Sequence, residues 1–594
     1  MTRSRRLGAA LAIVMTMFAG TGCAVIPVGG PFPMEGAGGG EELSKPFQRM
    51  IAVPPQRDWD PVQVVKGLQA AMAAYADDPT VLPAYLTPEA ARAWRPDGPV
   101  TVIGNAPQFS YESKAGGKEV VIKLVGTPVA RIEADDTYVP ASSAAQEMEI
   151  YFTLVRDQQG AYKVKTIGSG LGLLLTVDDL ERAYRPTNLY FLAGPPAAGG
   201  VMPDRRLVVD RVWLRLRPTE NFAQTIVRRL LGGPSKALHG AVGSVFPQGM
   251  SVRSVRSGDD RVVVDLAGPI DPEGVFADGL KAQLKWSLNS NNMANGRTIE
   301  VQLDGEPFFS SDSLTVPANW REEWLDNTVK PAYFTSRGAV YSLNKDEPGN
   351  AVQGPAGQPS EHRDMAMAES GDLVAARGRD GVGGIWVTRI APDGQWEQWI
   401  QGARLTAPSW RRDGTLWTYD LANAAVIRCD PAAGRGPERV AAPGLDGLDV
   451  TSLRVARDGV RVAVTIGDSE VRVGAITGGA GAPMLGNFQT LTTVVDERIT
   501  DIAWLDGERL LVLVQSKDEK VQSVREINIG DGETTQLPTG KRLKSITALR
   551  AGSAGDRILA ATEDSNEILE FSKDKQAWSR LVTADQGKPF FPLG

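Results

Sequence analysis

The sequence predicts a multidomain, mainly β protein: an α+β unit, then a smaller α/β unit, then a C-terminal β-propeller of five or six blades. Three observations predict it. Five segments beyond residue 360 share one form, two apolar-alternating strands joined by a glycine turn, at a near-constant step. Ahead of them, apolar spacing shifts more than once between the helical period and the strict alternation of strands. With only two cysteines in 594 residues, 42% hydrophobic and 23% charged residues, the chain relies on apolar cores and not on disulfides. At about 150 residues per domain the length allows three or four domains. A net charge of −7 without extended Lys/Arg clusters argues against nucleic acid as a partner.

The first element is a leader. Arg3, Arg5 and Arg6 precede an apolar run from Leu7 to Gly20, which as a helix rises roughly 21 Å and falls short of a roughly 30 Å hydrocarbon core. Residues 1–22 therefore read as a signal peptide. Thr21-Gly22-Cys23 resembles the lipobox of bacterial lipoproteins, with Gly20 where leucine is usual. The resemblance implies cleavage between Gly22 and Cys23, and a Cys23 carrying an S-diacylglycerol and an N-acyl chain such as palmitate. The Arg5-Arg6 pair leaves the export route open between Sec and Tat. Residues 23–40, rich in Gly and Pro, read as a flexible tether with a root-mean-square span of roughly 23 Å.

Residues 41–187 form the next unit. DPVQVVKGLQAAMAAYADDP carries Val64, Val65, Leu68, Met72 and Tyr75 at helical spacing behind an Asp60 cap and Pro61, and TPEAARAW repeats that start. The period then becomes two, as in KEVVIKLVGTPVARIEA and MEIYFTLVRDQQGAYKVKTI. Helices followed by a long antiparallel sheet resemble the NTF2-like fold. GSGLGLLL, residues 168–175, lacks the Lys or acid of a phosphate loop and reads as a bend in a strand.

In residues 188–310, strands, a helix with a GGP stop, a hairpin, a second helix and a final strand follow in order. Gly233-Pro234, Phe246-Pro247-Gln248-Gly249, Val263-Val264-Asp265-Leu266 and Asp304-Gly305-Glu306-Pro307 are its marks. The unit resembles the GerMN domain, a small α/β module of spore germination and bacterial envelope proteins. Residues 311–331 read as a linker.

Residues 332–594 carry the repeats. Their turn glycines, Gly371, Gly414, Gly459, Gly507 and Gly555, step by 43, 45, 48 and 48 residues, the length of one four-stranded blade. AYFTSRGAVYSLN adds a strand pair ahead of them that can complete a sixth blade with the C-terminal segment. Seven of the thirteen tryptophans fall here, enough to fill the space between blades, so they read as packing and not as a binding platform.

Candidate chemistry is sparse. His239 and His362, the two histidines, sit in polar stretches without a partner at metal spacing and read as solvated loop residues. Cys429 reads as a small buried strand residue. Catalytic residues, metal ligands and cofactors are all expected to be none; the open exception is a pair of acids from different blades. The whole order of lipobox, tether, NTF2-like unit, GerMN unit and propeller resembles the LpqB family of actinobacterial lipoproteins. That resemblance implies a non-enzymatic accessory, lipid-anchored through Cys23 on the extracytoplasmic face of the cell membrane. It further implies a partner, the extracellular domain of the sensor kinase MtrB in the MtrA/MtrB two-component system, and through it envelope homeostasis and development. The alternative is a lipid-anchored propeller hydrolase of envelope glycans.

Overall fold

Asp60 starts the first helix by a reciprocal cap. Its carboxylate accepts the Gln63 N–H at 2.9 Å, and the Gln63 side chain accepts the Asp60 N–H at 2.9 Å, opening α1 (Pro61–Ala73). In this computed structural model Phe32–Glu35 and residues 48–593 are described, outside the segments 76–77, 114–118, 143–144, 169, 196–205, 217–220, 271–276, 295–296, 309–329, 344–347, 380–381, 433, 480, 551–554 and 586. The signal peptide, Gly22, Cys23 and most of the 311–331 linker lie outside the described residues.

The apolar stripe of α1 is buried, with Val64, Val65, Leu68 and Met72 at 0% exposure. It packs across two four-stranded sheets. One contains Leu173–Thr176, Val100–Ile103, Pro128–Ile132 and Tyr138–Pro140; the other contains Gln108–Ser113, Glu119–Gly126, Met148–Arg156 and Tyr162–Thr166. Gly67 keeps α1 bare where Tyr85 passes beneath it, since a Cβ there would lie 2.5 Å from the Tyr85 hydroxyl. That hydroxyl donates to the Val53 carbonyl. Short helices α2 (Pro88–Ala93) and α3 (Val177–Ala183) are capped by Thr87 and Thr176.

One expectation needs correction. Within the stretch read as coil tether, Phe32–Glu35 runs antiparallel to Gln48–Ile51, with Phe32 opposite Ile51 and Met34 opposite Arg49. The glycine-rich segment encloses a short run, FPME, that lacks glycine and is free to extend and pair.

The strand Tyr184–Ala193 follows α3 directly and pairs along its length with Leu207–Arg215, so backbone continues from the first unit into the second through one strand. Helix α4 (Phe222–Leu231) is capped by Asn221 and ends before Gly233, whose φ of 84° only glycine adopts readily. The hairpin Ser251–Ser257 and Arg261–Ala267 leads to α5 (Ala277–Asn289), which crosses to Thr298–Leu303, parallel to Arg261–Ala267. Both helices bury their apolar faces in one core: Ile226, Val227 and Leu230 meet Leu280, Leu284 and Leu288.

The repeats form six four-stranded antiparallel blades. The glycine-linked pairs are the two innermost strands of blades 2 to 6, beginning Arg363–Met367, Ser409–Trp410, Val450–Val455, Glu497–Trp504 and Leu543–Arg550. Blade 1 takes Ala332–Ser336, Ala339–Leu343 and Pro348–Ala351, and its innermost strand is Pro589–Phe590 from the end of the chain. The expected sixth blade is thus completed by the C-terminal segment. Tryptophans bind blade to blade: Trp410 Nε1 donates to the Ala366 carbonyl and Trp504 Nε1 to the Arg454 carbonyl, both at 3.1 Å, from the same position of two repeats.

Asp364 secures the closure. Its carboxylate accepts from Lys588 Nζ at 2.7 Å and contacts Arg377 at 2.6 Å, tying the residue before the closing strand to blade 2. Burial alone would raise this carboxyl, but Lys588 and Arg377 outweigh it and hold it at about 2. A depressed carboxyl contributes stability above its unfolded value near 4, lost as pH falls toward 2. We expect the propeller transition of the parent to exceed that of Asp364→Asn by about 2 kcal/mol at pH 7, the gap narrowing below pH 4. Denaturant titrations at pH 7 and pH 3 check this; a pH-independent gap refutes it.

Candidate functional site: an arginine lattice and a channel at opposite ends of the propeller

All innermost strands run toward the same end of the propeller, so their turns gather there. Beside the turn glycines the sequence places Arg411-Arg412-Asp413, Arg457-Asp458 and Asp506, with Glu508-Arg509 following. Four of the turn glycines, Gly371, Gly414, Gly459 and Gly555, have φ of 71–83°. Gly507 differs: a Cβ there would lie 3.1 Å from the Asp458 carboxylate, a tight fit that a larger residue would press on.

The strand Leu207–Arg215 of the second unit covers this end. Arg461 joins the two: it donates to Asp458 at 2.6 Å and to the Val209 carbonyl, and both charged side chains are under a tenth exposed. Arg211 Nε donates to Asp531 at 2.6 Å, and a Cβ on Gly530 would meet the Arg211 Cβ at 2.6 Å. Val460 and Ala475 of blade 4 belong to the second unit's apolar core. The first unit docks alongside. Its Asp135-Asp136 turn receives Arg229 of α4, with Nε on Asp136 at 3.0 Å and Nη2 on the Asp135 carbonyl at 2.9 Å, while Tyr138 stacks on Trp213 at 5.0 Å.

A cavity of about 480 Å³ remains between second unit and propeller, lined among others by Tyr190, Arg206, Arg412, Arg457, Glu508 and Arg550. Burial, with neighbouring Asp506, pushes the Glu508 carboxyl up despite the pull of Arg211, Arg461 and Arg550. Arg509 binds Asp506, Glu526 and Asp556 at 2.7–3.3 Å. Deepest lies Arg457, which donates to the Pro592 and Ala548 carbonyls at 2.5 and 3.0 Å over the Phe591 ring. Burial lowers its guanidinium to about 10, and the residue closes the channel at this end.

The other end is open. A cavity of about 140 Å³ there is lined by all six blades, including Asp364, Arg454, Asp501, Lys544 and Lys588. Asp364 is engaged as described. Asp501 accepts the Ile502 and Ile546 N–H groups at 3.0 and 2.9 Å, one on each carboxylate oxygen. Asp364 and Asp501 are acids from different blades, the arrangement that the sequence left open, and all four of their oxygens already hold partners.

Cys23 and Gly22 are outside the described residues. His239 is exposed, as expected for a loop, and its carbonyl accepts from Asn487 of blade 4 at 2.9 Å. His362 departs from expectation: it is half-buried, its ring stacks on Trp396 at 4.2 Å, and burial lowers its pKa. The indole supplies a partner that a polar sequence neighbourhood did not reveal. His239→Gln is therefore expected to leave stability within about 0.5 kcal/mol, and His362→Gln to cost about 1 kcal/mol, by denaturant titration. Cys429 is buried between blades, as expected. Among the described residues no group of three or more His, Cys, Asp or Glu is placed to hold a metal. The arginine lattice was missed by sequence reasoning, although its signal, Arg and Asp flanking successive turn glycines, was present.

Comparison with known proteins matches residues 54–180 to the family described as "Lipoprotein LpqB, N-terminal domain", 188–308 to "Sporulation and spore germination", and 338–592 to "Lipoprotein LpqB beta-propeller domain". Lipoprotein LpqB of Thermobifida fusca is 29% identical, covering 99% of both chains. Lipoprotein LpqB of Streptomyces coelicolor is 27% identical, covering 93% of this chain and 92% of that one. Among solved structures, TolB from Acinetobacter baumannii aligns at 12% identity and a TM-score of 0.33, covering 58% of this chain and 98% of that one.

Proposed function

The chain belongs to the family of LpqB lipoproteins, and from that premise we propose that it is a membrane-anchored accessory without catalysis of its own, which modulates a two-component sensor kinase, MtrB, by binding its extracellular domain. In this reading Cys23 carries the lipid and the protein stands on the extracytoplasmic face. Among the described residues no helix is long and apolar enough to cross a membrane, which accords with a lipid anchor. Diacylation supplies the two chains that stable anchoring requires, so Cys23→Ala is expected to release the protein from washed membranes and abolish labelling by a radioactive fatty acid. Retention as a lipid-labelled species refutes the anchor.

The observation that carries the accessory reading is the union of three units through partly buried polar contacts at Arg229 and Arg211 and a buried one at Arg461. A surface preorganised in this way loses little conformational entropy on binding. Anchoring beside the kinase raises its effective concentration, so weak affinity suffices. To modulate, it must bind the two signalling states of the kinase unequally. The hydrolase alternative draws on Asp364 and Asp501 in the channel, but the partners on their oxygens favour structural roles.

Cross-linking in intact cells followed by mass spectrometry tests the proposal. Links from residues 188–594 to the extracellular domain of the kinase are expected; links confined to residues 41–187 would move the contact face. Absence of any link to a kinase would favour the hydrolase.

A further inference from the structure

The open end of the propeller channel holds polar groups left without partners. Ser545 and Thr547, both on the innermost strand of blade 6, are 6% and 4% exposed, and neither hydroxyl oxygen has a hydrogen-bond partner. Both line the 140 Å³ cavity. A buried hydroxyl without a partner costs about 1–3 kcal/mol, so two in one cavity call for something that fills it. The charges around them have a definite sign. Lys588 is matched by Asp364, which Arg377 also contacts, whereas Lys544 and Arg454 also line the cavity and, among the described residues, meet no carboxylate within ion-pair distance. Burial lowers the pKa of the half-buried Lys544, and it feels the positive charge of Lys588 against the opposing charge of Asp585, so an anion between the two lysines would relieve the repulsion that remains. The volume is close to the roughly 150 Å³ that accommodates one benzene-sized molecule.

We propose that this end of the channel is a binding site for a small carboxylate or phosphate anion, its oxyanion met by Lys544 and Arg454 and its remaining polar atoms by the Ser545 and Thr547 hydroxyls. The site lies away from the arginine lattice and from the second unit, so it is reached from solvent without separating the domains. All six blades line it, and occupancy would therefore be sensed by the whole ring. An oxyanion of this size is a carboxylate or a phosphate, and the two are separable by experiment.

The test is calorimetric titration of the full chain, purified from membranes in detergent, with inorganic phosphate and separately with succinate, at ionic strength held constant with chloride. At least one is expected to bind, and which one names the anion class. Lys544→Gln is expected to weaken that binding about tenfold, the loss of one charge-assisted contact. Thr547→Val is expected to weaken it severalfold while leaving the melting temperature of the unliganded propeller unchanged or raised, because the variant removes an unpaired hydroxyl. Absence of binding by either anion overturns the proposal. So does binding unaltered in both variants, which would put the anion at the arginine lattice or on exposed lysines.

Discussion

Arg461→Ala is expected to destabilise the assembled chain by about 3–5 kcal/mol, because it leaves Asp458 charged and buried and the Val209 carbonyl without its donor. The lost interaction spans two units, so the effect has a distinctive form. Where the parent unfolds its second unit and propeller together, the variant should show separate transitions in differential scanning calorimetry. Proteases should also gain access to the strand Leu207–Arg215. Arg253→Ala serves as a control, since that side chain is half exposed, its pair with Asp304 lies at the surface, and its contact with the buried Asp265 is long, at 3.8 Å, while Asp265 keeps the Gly305 N–H; it should cost less than about 1 kcal/mol. If Arg461→Ala costs no more than Arg253→Ala, the lattice does not hold the units together.

Phe591→Ala carries the second large effect. The ring is fully buried beside the closing strand, with the Arg457 and Arg557 guanidinium groups 5.9 and 5.6 Å from its centroid. Truncation removes apolar burial, leaves a cavity and strips Arg457 of the surface it lies on, for a loss of about 3–5 kcal/mol. For a domain of this size that lowers the melting temperature of the propeller by roughly 10 °C. Because Pro589–Phe590 is the only strand of blade 1 drawn from the far end of the chain, protection of amide hydrogens should fall first in blades 1 and 6. Uniform loss around the ring would show that closure is not the point of weakness.

Much of the architecture was legible because it rests on local rules. Asp60, Thr87 and Asn221 cap helices through bonds to residues two or three positions on, and Gly371, Gly414, Gly459 and Gly555 occupy turns whose left-handed φ is a property of a few residues. His362 was misread for the opposite reason, since its stacking partner Trp396 lies across a blade, in a strand connection that no short window contains.

By itself the sequence determined the order of the units, the helix starts and stops, and five of the six repeats, since capping, turn geometry and the alternation of buried and exposed positions act over a few residues. Only the tertiary structure decided which surfaces meet. Arg461 reaches a carbonyl 252 residues away, Arg211 a carboxylate 320 away, and Arg457 a carbonyl 135 away. In sequence each is a single charged residue of a strand or a turn, a residue type that ordinarily faces solvent. Folding buries them because carboxylates and carbonyls from distant segments arrive at the same place to replace the water they lose.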